Sequence, residues 1–466
     1  MSVTVDSVAD ARPVSRWLDR ADIGVPGALT ELPGPHLRTD LLVVGGGLTG
    51  LWAAVEAAGA GRDVTVVDAA TIAGGASGRC GGFVNASITH GIAHGHARWP
   101  DEMDAIVRLQ QALWEDTLRL LAEHSATDVV DECGKLTVAT RAHEVAAIEQ
   151  SVQLLRRYGQ RVRLLSAEEV REEVASPSYR GGYHHADANG LCDPVRLAQA
   201  LAGIAIGRGA RLVEQVRIER LADDGRTIRA TTSEGRSVTA RQVVLATNAY
   251  PPLRRRLRLR MIPVYDHVIA TAPLTDDQWA ASGWRHRCGI TDAGNQFHYY
   301  RPLPDGGILF GGWDATYHFG GRVDPALEQR IRTHRLLARH LVATLPQLEG
   351  VEISHAWGGP IDSTSRFTPM FGTAMHGKLG WAIGFTGLGV GASRFGALTA
   401  LDLLAGVETA RTSLSMVRRS PLPFPPEPFR WPVVQVTKRA LAAEDRTGRR
   451  GLWLRMLDRF GVGFDT

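Results

Sequence analysis

A continuous apolar run that leads directly into a glycine-rich turn constrains the fold of this chain more than any other feature. The run at 39–44 is TDLLVV, and the turn at 45–50 is GGGLTG. A glycine-bounded apolar run is typical of a parallel strand that is buried on both faces. The helical segment LWAAVEAAGAGR at 51–62 and a second apolar strand, DVTVVD at 63–68, complete a βαβ unit. The sequence therefore predicts an α/β fold that begins with a Rossmann unit.

The turn at 45–50, the first glycine segment, fits the dinucleotide-binding pattern GxGxxG through Gly45, Gly47 and Gly50. The first glycine permits a tight turn, the second lets the backbone approach a pyrophosphate, and the third lets the helix pack closely on the strand. The N–H groups at the start of the helix can donate to phosphate oxygens. Asp68 ends the second strand, where an acid accepts hydrogen bonds from ribose hydroxyls. We therefore predict that this unit binds a dinucleotide.

Two further glycine-rich segments favour FAD over a nicotinamide cofactor. The second glycine segment, GGASGRCGG at 74–82, follows the second strand. The third, GFTGLGVG at 384–391, precedes a predicted helix more than three hundred residues after the first turn, and a nicotinamide enzyme does not need such a distant loop. Backbone N–H groups and the positive helix end there can stabilise negative charge near N1 and O2 of reduced flavin.

In combination these motifs resemble the D-amino-acid oxidase/glycine oxidase superfamily, and within it the γ-glutamylputrescine oxidoreductase-like branch. The motifs are VVGGGLTGL at 43–51, GASGRCGG at 75–82, ATNAY at 246–250, WGGPID at 357–362 and GFTGLGV at 384–390. The resemblance covers roughly residues 38–410. It implies an α/β fold, α+β overall, with a glutathione-reductase-like Rossmann FAD domain and a second mixed-sheet substrate domain.

The resemblance and the glycine segments together give the candidate cofactor residues. These are Gly45, Gly47, Leu48, Thr49, Gly50, Asp68, Ala69, Gly75, Ala76, Ser77, Arg79, Cys80, Gly81, Gly82, Val216, Thr247, Asn248, Trp357, Gly359, Gly384, Thr386, Gly387, Leu388, Gly389 and Val390. Cys80 stands where the branch usually has Asn, and Thr386 and Leu388 stand where Ser and His are usual. Non-covalent FAD is expected, as in that branch. A thioether from Cys80 to the flavin 8α-methyl group is the alternative, because the nearby Arg79 favours a thiolate.

Changes in composition along the chain predict its organisation. The expected units are an N-terminal arm at 1–37, an FAD-binding domain at 38–95, 186–250 and 356–410, a substrate domain at 96–185 and 251–355, and a Pro-rich linker with a helical C-terminal tail at 411–466. Short strands are expected at roughly 212–221, 226–232 and 236–240, and a further apolar strand at 242–247. The apolar residues of the tail predict one or two helices that pack on the body or on a neighbouring subunit.

The aromatic-rich segment at 251–355 supplies the candidate substrate wall. FHYYR at 297–301 is typical of a strand, and alternate residues of a strand share a face. Arg301 and Arg366 are candidates for a substrate carboxylate, since a guanidinium binds a carboxylate bidentately. The candidate catalytic or substrate residues are Tyr299, Arg301, Trp313, Arg366 and His267.

The resemblance implies oxidation of a C–N bond of a small amine or amino acid to an imine. Hydride passes to flavin N5, the imine is hydrolysed, and O2 or another acceptor reoxidises the flavin. Two alternatives stay open: a non-catalytic flavoprotein that serves as an assembly or interaction factor, and an NADPH-dependent flavin hydroxylase. A lysine often activates O2 in related oxidases, but the chain's lysines, Lys135, Lys378 and Lys438, lie outside the site motifs.

Charge and cysteine usage argue against other classes of protein. The net charge of +4 comes from residues 411–466, where eleven Lys and Arg face five Asp and Glu, so we expect no nucleic-acid partner. The four cysteines are scattered without metal-binding spacing, which predicts a cytoplasmic protein with neither disulfides nor a metal. The sequence contains no run of eighteen apolar residues, so we expect no membrane span. The tail is the candidate interface of a homodimer.

Overall fold

The computed structural model describes residues 3–20, 22–251 and 253–463. The first two residues and residue 21 of the predicted arm, and the last three residues of the predicted tail, lie outside them. The strands are β1 His36–Val44, β2 Val64–Val67, β3 Phe83–Asn85, β4 Val130–Asp131, β5 Lys135–Ala139, β6 Val162–Leu165, β7 Gly181–His185, β8 Asn189–Cys192, β9 Arg211–Val213, β10 Ile218–Asp223, β11 Ile228–Thr232, β12 Ser237–Leu245, β13 Met261–Thr271, β14 Gly289–Asp292, β15 His298–Pro302, β16 Ile308–Gly312, β17 Ile353–Thr364, β18 Met370–Ala374 and β19 Leu379–Ile383.

Helices connect and cover these strands. They are α1 Val3–Asp6, α2 Leu48–Gly59, α3 Ile92–Arg98, α4 Met103–Glu123, α5 Ala142–Arg157, α6 Ala167–Glu173, α7 Pro194–Gly207, α8 Asp276–Ser282, α9 Ile331–Thr344, α10 Gly389–Ala405, α11 Ser415–Arg418, α12 Arg430–Thr447 and α13 Leu452–Arg459. None of the helices in the described part of the chain has the length and apolar character needed to cross a bilayer.

The parallel sheet is built around β1. Strands β2 and β12 pair with β1 on either side, β9 pairs with β2, and β19 pairs with the second half of β12, all in parallel. The antiparallel strands β10 and β11 extend the sheet beyond the first half of β12. Helices α2, α7 and α10 bury an apolar core against one face. Because parallel strands end at the same edge, the turns that follow β1, β2 and β12 lie together.

The second large sheet is mixed and runs in the order β17-β13-β16-β15-β14-β5-β7-β6. Its neighbours are antiparallel except β14 and β5, which are parallel. Helix α9 packs its apolar residues, including Leu337 and Leu341, on one face together with Phe310 of β16. The opposite face is therefore free to contribute to a cavity. A parallel Rossmann sheet and a mixed sheet are both present, as predicted.

The two sheets take their strands from interleaved parts of the chain. The parallel sheet is formed within 36–67, 211–245 and 370–383, and the mixed sheet within 135–185 and 261–364. The domain boundaries given above stay a prediction, since a sheet's membership does not by itself define an independently folding unit.

Two strand predictions were wrong. The single strand expected at 212–221 is β9 and β10, which lie at opposite edges of the sheet. Between them Gln215 takes a φ of +59°, a left-handed conformation that breaks the strand. The separate strands expected at 236–240 and 242–247 form the single strand β12, because Arg241 between them projects to solvent and keeps the alternation.

The N-terminal arm holds the second glycine segment in place. Ser15 Oγ donates to the carbonyl of Gly78 at 2.6 Å, and Trp17 Nε1 donates to the carbonyl of Cys80 at 2.8 Å. Trp17 is itself buried. A segment without regular secondary structure over most of its length therefore fixes a loop that faces the cavity described below.

The close packing of α2 on β1 predicts that Gly50 is indispensable for stability. A Cβ atom at Gly50 would lie 1.8 Å from the carbonyl oxygen of Gly45, which is backbone and cannot rotate away. We expect Gly50→Ala to lower the free energy of unfolding in urea by about 2–3 kcal/mol or more. The matched control is Gly203→Ala in α7, which has no atom within 4 Å of its Cβ and should gain up to about 1 kcal/mol. Equal stability of Gly50→Ala and the wild type would contradict this packing.

Candidate active site

A cavity of about 1280 Å³ extends from the carboxyl edge of the parallel sheet to the mixed sheet. All three glycine segments contribute to its wall. Of the candidate cofactor residues, Gly50, Trp357 and Gly384 lie behind the wall, and the others line the cavity. The structure thus brings together three loops that are far apart in the sequence.

The first glycine segment presents backbone to the cavity. Gly45 has a φ of +114°, and a Cβ there would lie 2.4 Å from the carbonyl oxygen of Ala246. Gly47 precedes α2 as its N-cap and brings no side chain to the first N–H groups of the helix, although Ser77 Oγ accepts from Leu48 N at 3.1 Å. A helix start with this opening is suited to phosphate oxygens.

The Asp68 carboxylate lies at the end of the cavity expected to hold adenosine. Its Oδ2 accepts from Gly46 N at 2.6 Å and its Oδ1 from Ala70 N at 2.7 Å. Burial raises the pKa of Asp68. A carboxylate has about four acceptor sites, so acceptor sites are left for ribose hydroxyls. Val216 lines the cavity beside it.

The second glycine segment is held rigidly. Arg79 Nε donates to Glu328 at 2.9 Å, and its Nη1 donates to the carbonyls of Gly74 and Gly75. Trp357 Nε1 donates to the carbonyl of Arg79 at 3.0 Å, which explains its place behind the wall. These contacts hold the loop to Glu328 and to β17.

The third glycine segment is organised by a buried carboxylate. Asp362 accepts from Gly384 N at 2.5 Å and from Phe385 N at 3.1 Å, and its main-chain carbonyl accepts from Thr386 N. Burial raises the pKa of Asp362 to about 7. The next residues begin α10, whose N-cap, Leu388, offers no side-chain acceptor. The positive end of α10 therefore lies at the cavity wall, where it favours negative charge.

These features fit FAD. One cavity joins Asp68, which suits a ribose, the first glycine segment, which suits a pyrophosphate, and the start of α10, which suits the flavin ring. Side chains at Gly45 or Gly50 would strike backbone oxygens, which explains why this cradle is made of glycine. Among the residues that the structure describes, no group of three or more His, Cys, Asp or Glu is arranged to hold a metal ion.

The mixed sheet faces the cavity with one row of side chains. The strand register places Tyr183 of β7, Thr137 of β5, Thr291 of β14 and Tyr299 of β15 side by side in one row across the sheet. The row continues through Gly311 of β16 to β13. The first four of these residues line the cavity. The predicted alternation of β15 is present, because His298 and Tyr300 pack on the opposite side.

Tyr299 and Asp266 form the most constrained polar pair of this wall. Tyr299 Oη donates to Asp266 Oδ2 at 2.6 Å. A Cβ at Gly81 or at Gly311 would lie 2.6 Å from the tyrosine ring, so two glycines leave the ring its place. Burial raises the pKa of Asp266 to about 6 and the pKa of Tyr299 well above its usual value. The tyrosine is thus a neutral donor, and the aspartate titrates close to neutrality.

The other candidate substrate residues lie in different surroundings. Trp313 lines the cavity and stacks on His298 with ring centroids 4.9 Å apart. His267 lies on the opposite face of β13 from Asp266, where its ring packs against that of His334. Alternation along β13 turns His267 away from the cavity.

Both candidate arginines hold backbone carbonyls together. Arg301 donates to the carbonyls of Gly82, Cys192 and Pro302. A second set of carbonyls, those of Pro369, Met416 and Arg419, accepts from Arg366. Neither side chain lines the cavity. Because their N–H groups are used in this way, the geometry favours a structural role for both over binding of a substrate carboxylate.

Cys80 lines the cavity as a half-buried thiol. Its Sγ donates to the carbonyl of Ser77 at 3.3 Å, and burial raises the pKa of Cys80 to about 11. Arg79, which was expected to favour a thiolate, is occupied by Glu328. The thiol is therefore protonated at neutral pH.

Several cavity residues escaped the sequence motifs. Asp266 lies inside an apolar strand and Lys135 begins one, and an ionisable residue in such a strand is the signal that could have drawn attention to them. His90 lies beside the third glycine segment, where its Nε2 is 2.7 Å from the carbonyl of Thr386. Lys438 reaches the cavity from the tail and pairs with Asp314.

The C-terminal tail covers the cavity. Its lining residues are Pro423, Phe424, Pro425, Val433, Val434, Thr437, Lys438, Leu441, Trp453, Leu457, Val462 and Gly463. Asp445 of α12 accepts from the backbone N–H groups of Asn295 and Gln296 at 2.8 and 2.7 Å. At the end of the tail, Gly463 N donates to the carbonyl of Ser365. The tail thus packs on its own chain and closes one side of the cavity.

Comparisons with known proteins agree with this geometry. The model of the DAO family, described as FAD dependent oxidoreductase, matches residues 40–401. Gamma-glutamylputrescine oxidoreductase of Escherichia coli K12 is 30% identical over 375 residues, which cover 79% of this chain and 84% of that protein. Glycine oxidase from Geobacillus kaustophilus has a TM-score of 0.68 at 22% identity, covering 82% and 99% of the two chains. L-proline dehydrogenase from P. horikoshii has a TM-score of 0.66 at 21% identity, covering 80% and 95%.

The tail lies beyond the range matched by the family model, and its contacts predict the effect of removing it. A chain that ends at Ser420 loses the Asp445 contacts and uncovers the part of the cavity wall that Trp453 and Leu457 help to close. We expect its melting temperature to fall by several degrees, at about 2–4 °C per kcal/mol lost, and its solubility to decrease. Val407→Ser, at an exposed position outside the tail, is the control and should change neither. An unchanged melting temperature of the truncated chain would show that the tail is not docked as described.

Proposed function

This chain belongs to the DAO family of FAD-dependent oxidoreductases, and on that premise we propose that it oxidises a C–N bond of a small amine or amino acid to an imine, which water then hydrolyses. FAD bound in this cavity would supply the acceptor for a hydride from the carbon next to nitrogen, with O2 or another acceptor as the final oxidant. The observation that carries the proposal is the Tyr299–Asp266 pair, which lies in the same cavity as the glycine cradle. A relative named for a γ-glutamyl derivative of putrescine supports an amine substrate.

The Tyr299–Asp266 pair is suited to take a proton from the substrate nitrogen. Only a neutral amine releases hydride readily, so a bound ammonium must first lose a proton. The Tyr299 hydroxyl donates to Asp266, which leaves the phenolic oxygen as an acceptor toward the cavity. A substrate N–H can donate to that oxygen while the tyrosine proton passes to the carboxylate. Asp266, whose pKa is about 6, is ionised at neutral pH and can receive it.

Other parts of the wall support this chemistry. The start of α10 places N–H groups and a positive helix end beside the third glycine segment, where they favour the negative charge of a reduced flavin. Trp313, and Trp453 from the tail, contribute aromatic surface to the same cavity. By reducing access of water, the tail strengthens the electrostatic interactions within the site.

The direct test combines cofactor analysis with anaerobic reduction. We expect one FAD per chain, and we expect at least one member of a panel of primary, secondary and amino-acid amines to bleach the flavin absorbance without oxygen. Admission of air should restore the absorbance, with peroxide released if O2 is the acceptor. FAD-loaded protein that keeps its absorbance with every amine, or that instead consumes NADPH, would overturn the proposal.

The pKa of Asp266 gives the activity a predictable dependence on pH. A base with a pKa of about 6 is protonated below that pH, so kcat/KM for an amine should decrease as the pH falls through 6. Asp266→Asn should lower kcat about 10²-fold and remove this acidic limb. Asp305→Asn, whose pair with Arg16 lies at the surface, should leave the profile unchanged. An acidic limb that persists in Asp266→Asn would assign the titration to another group.

We propose non-covalent FAD, with Cys80 as a neutral thiol in the cavity wall. A thioether requires a thiolate, which burial disfavours because it raises the pKa of Cys80 to about 11. Acid precipitation should therefore release the yellow flavin to the supernatant, and Cys80→Ala should keep full FAD content. Flavin retained on the pellet, and released in Cys80→Ala, would establish the covalent alternative.

Two further features complete the proposal. All four cysteines are free, which supports a reducing, cytoplasmic location.

Leu452 and Phe460 on the outer side of the tail are 82% and 65% exposed, which supports a homodimer through the tail. The elution volume of the chain that ends at Ser420 tests the dimer, since a dimer formed by the tail would become a monomer.

A further inference from the structure

Lys135 brings an amino group to the cavity wall. It is the first residue of β5 and lines the cavity. Within the described ranges 3–20, 22–251 and 253–463, its ammonium group makes no hydrogen bond or ion pair. Burial lowers the pKa of Lys135, which reflects the cost of holding an unpaired charge in this position. A bound anion would offset that cost.

The acidic groups of the wall are already engaged. Asp187 pairs with Arg161, Asp266 accepts from Tyr299, and Asp292 accepts from His298. These carboxylates therefore do not supply the counter-ion that Lys135 lacks.

The strand neighbour of Lys135 adds no competing charge. The strand register pairs Lys135 with His185, whose Nε2 is 3.2 Å from Gln160 Oε1. Burial lowers the pKa of His185 to about 4, so the ring is neutral at pH 7. From α4, Gln110 lines the same cavity, and its Nε2 is buried without an acceptor among the described residues. Lys135 and Gln110 thus both contribute to the wall of this cavity.

The other basic side chains near the substrate wall have partners, and Arg217 lies near Asp68, in the part of the cavity expected to hold adenosine. Arg79 and Lys438 line the cavity but pair with Glu328 and Asp314. Arg301 and Arg366 hold backbone carbonyls, as described above. Among the described residues of the substrate wall, Lys135 is therefore the basic side chain that has neither a carboxylate nor a carbonyl partner.

We propose that Lys135 binds the carboxylate of an amine substrate, a step that rests on the proposed function. Lys135 lies on β5, two strands away from Tyr299 on β15, which separates the two backbones by about 10 Å. An α-amino acid carries its carboxylate on the carbon that is oxidised and is too short to span this distance. The substrate class is therefore an extended amine whose carboxylate lies several bonds from the oxidised C–N bond.

Binding of a carboxylate without an amine tests the site independently of turnover. The FAD-loaded protein is titrated with hexanoate, and with hexanamide as the neutral match, while the flavin absorbance and the heat of binding are followed. We expect Lys135→Met to weaken hexanoate binding about tenfold or more and Lys135→Arg to retain it within a few-fold, since a hydrogen bond to a charged group is lost only in the first. Hexanamide should bind equally to all three proteins. Equal hexanoate affinity in Lys135→Met and the wild type would overturn the proposal.

Kinetics with matched substrates provide the second readout. We expect Lys135→Met to raise the KM for 6-aminohexanoate about tenfold or more, with little change for hexylamine and with kcat within about twofold. Lys378→Met, which removes a surface lysine paired with Asp223, is the control and should change neither KM. Equal changes for both amines, an effect confined to α-amino acids, or a variant impaired only in reoxidation by O2 would overturn the proposal.

The two readouts separate this inference from the proposed function. If no amine reduces the flavin of the wild type, the proposed function fails, and the hexanoate titration still reports on Lys135. If amines reduce the flavin but Lys135→Met binds hexanoate normally, the inference fails and the proposed function stands.

Discussion

Two close approaches of backbone to backbone determine the site. A Cβ at Gly50 of α2 would lie 1.8 Å from the carbonyl oxygen of Gly45, and a Cβ at Gly391 of α10 would lie 1.6 Å from that of Asn85. Each glycine lets a helix start lie against a neighbouring strand or turn. Both helix starts consequently open on the same cavity, where their N–H groups and positive ends favour the negative charges of a dinucleotide and of a reduced flavin.

Buried carboxylates complete this arrangement at an electrostatic cost. Asp68, Asp266 and Asp362 all lie where burial raises the pKa, yet each accepts hydrogen bonds from backbone N–H groups or a tyrosine. Asp362 fixes the loop before α10, and Asp266 aligns Tyr299 on the opposite wall. Each of these carboxylates is costly to bury, and each either orders a loop or titrates near neutral pH. Both roles are common for ionisable groups in active sites.

The sequence identifies the parts of the site that depend on local backbone geometry. The glycine segments can be recognised because tight turns and close approaches require glycine at fixed spacing, as at Gly45 and Gly50. The roles of Arg301 and Arg366 could not be predicted, since the carbonyls that they hold come from distant segments. Lys135 was missed because its place in the wall depends on the parallel pairing of β5 with β14, which joins segments about 150 residues apart.

The central claim is that this cavity brings the C–H bond next to an amine nitrogen to a bound flavin. The most direct measurement is anaerobic stopped-flow reduction of the flavin by an amine that reduces it, compared with the same amine deuterated at the carbon next to nitrogen. The account predicts that deuteration slows flavin reduction several-fold, because that C–H bond breaks as the flavin is reduced. Flavin reduction at the same rate with both amines, at saturating concentration and with reduction itself observed, would contradict it.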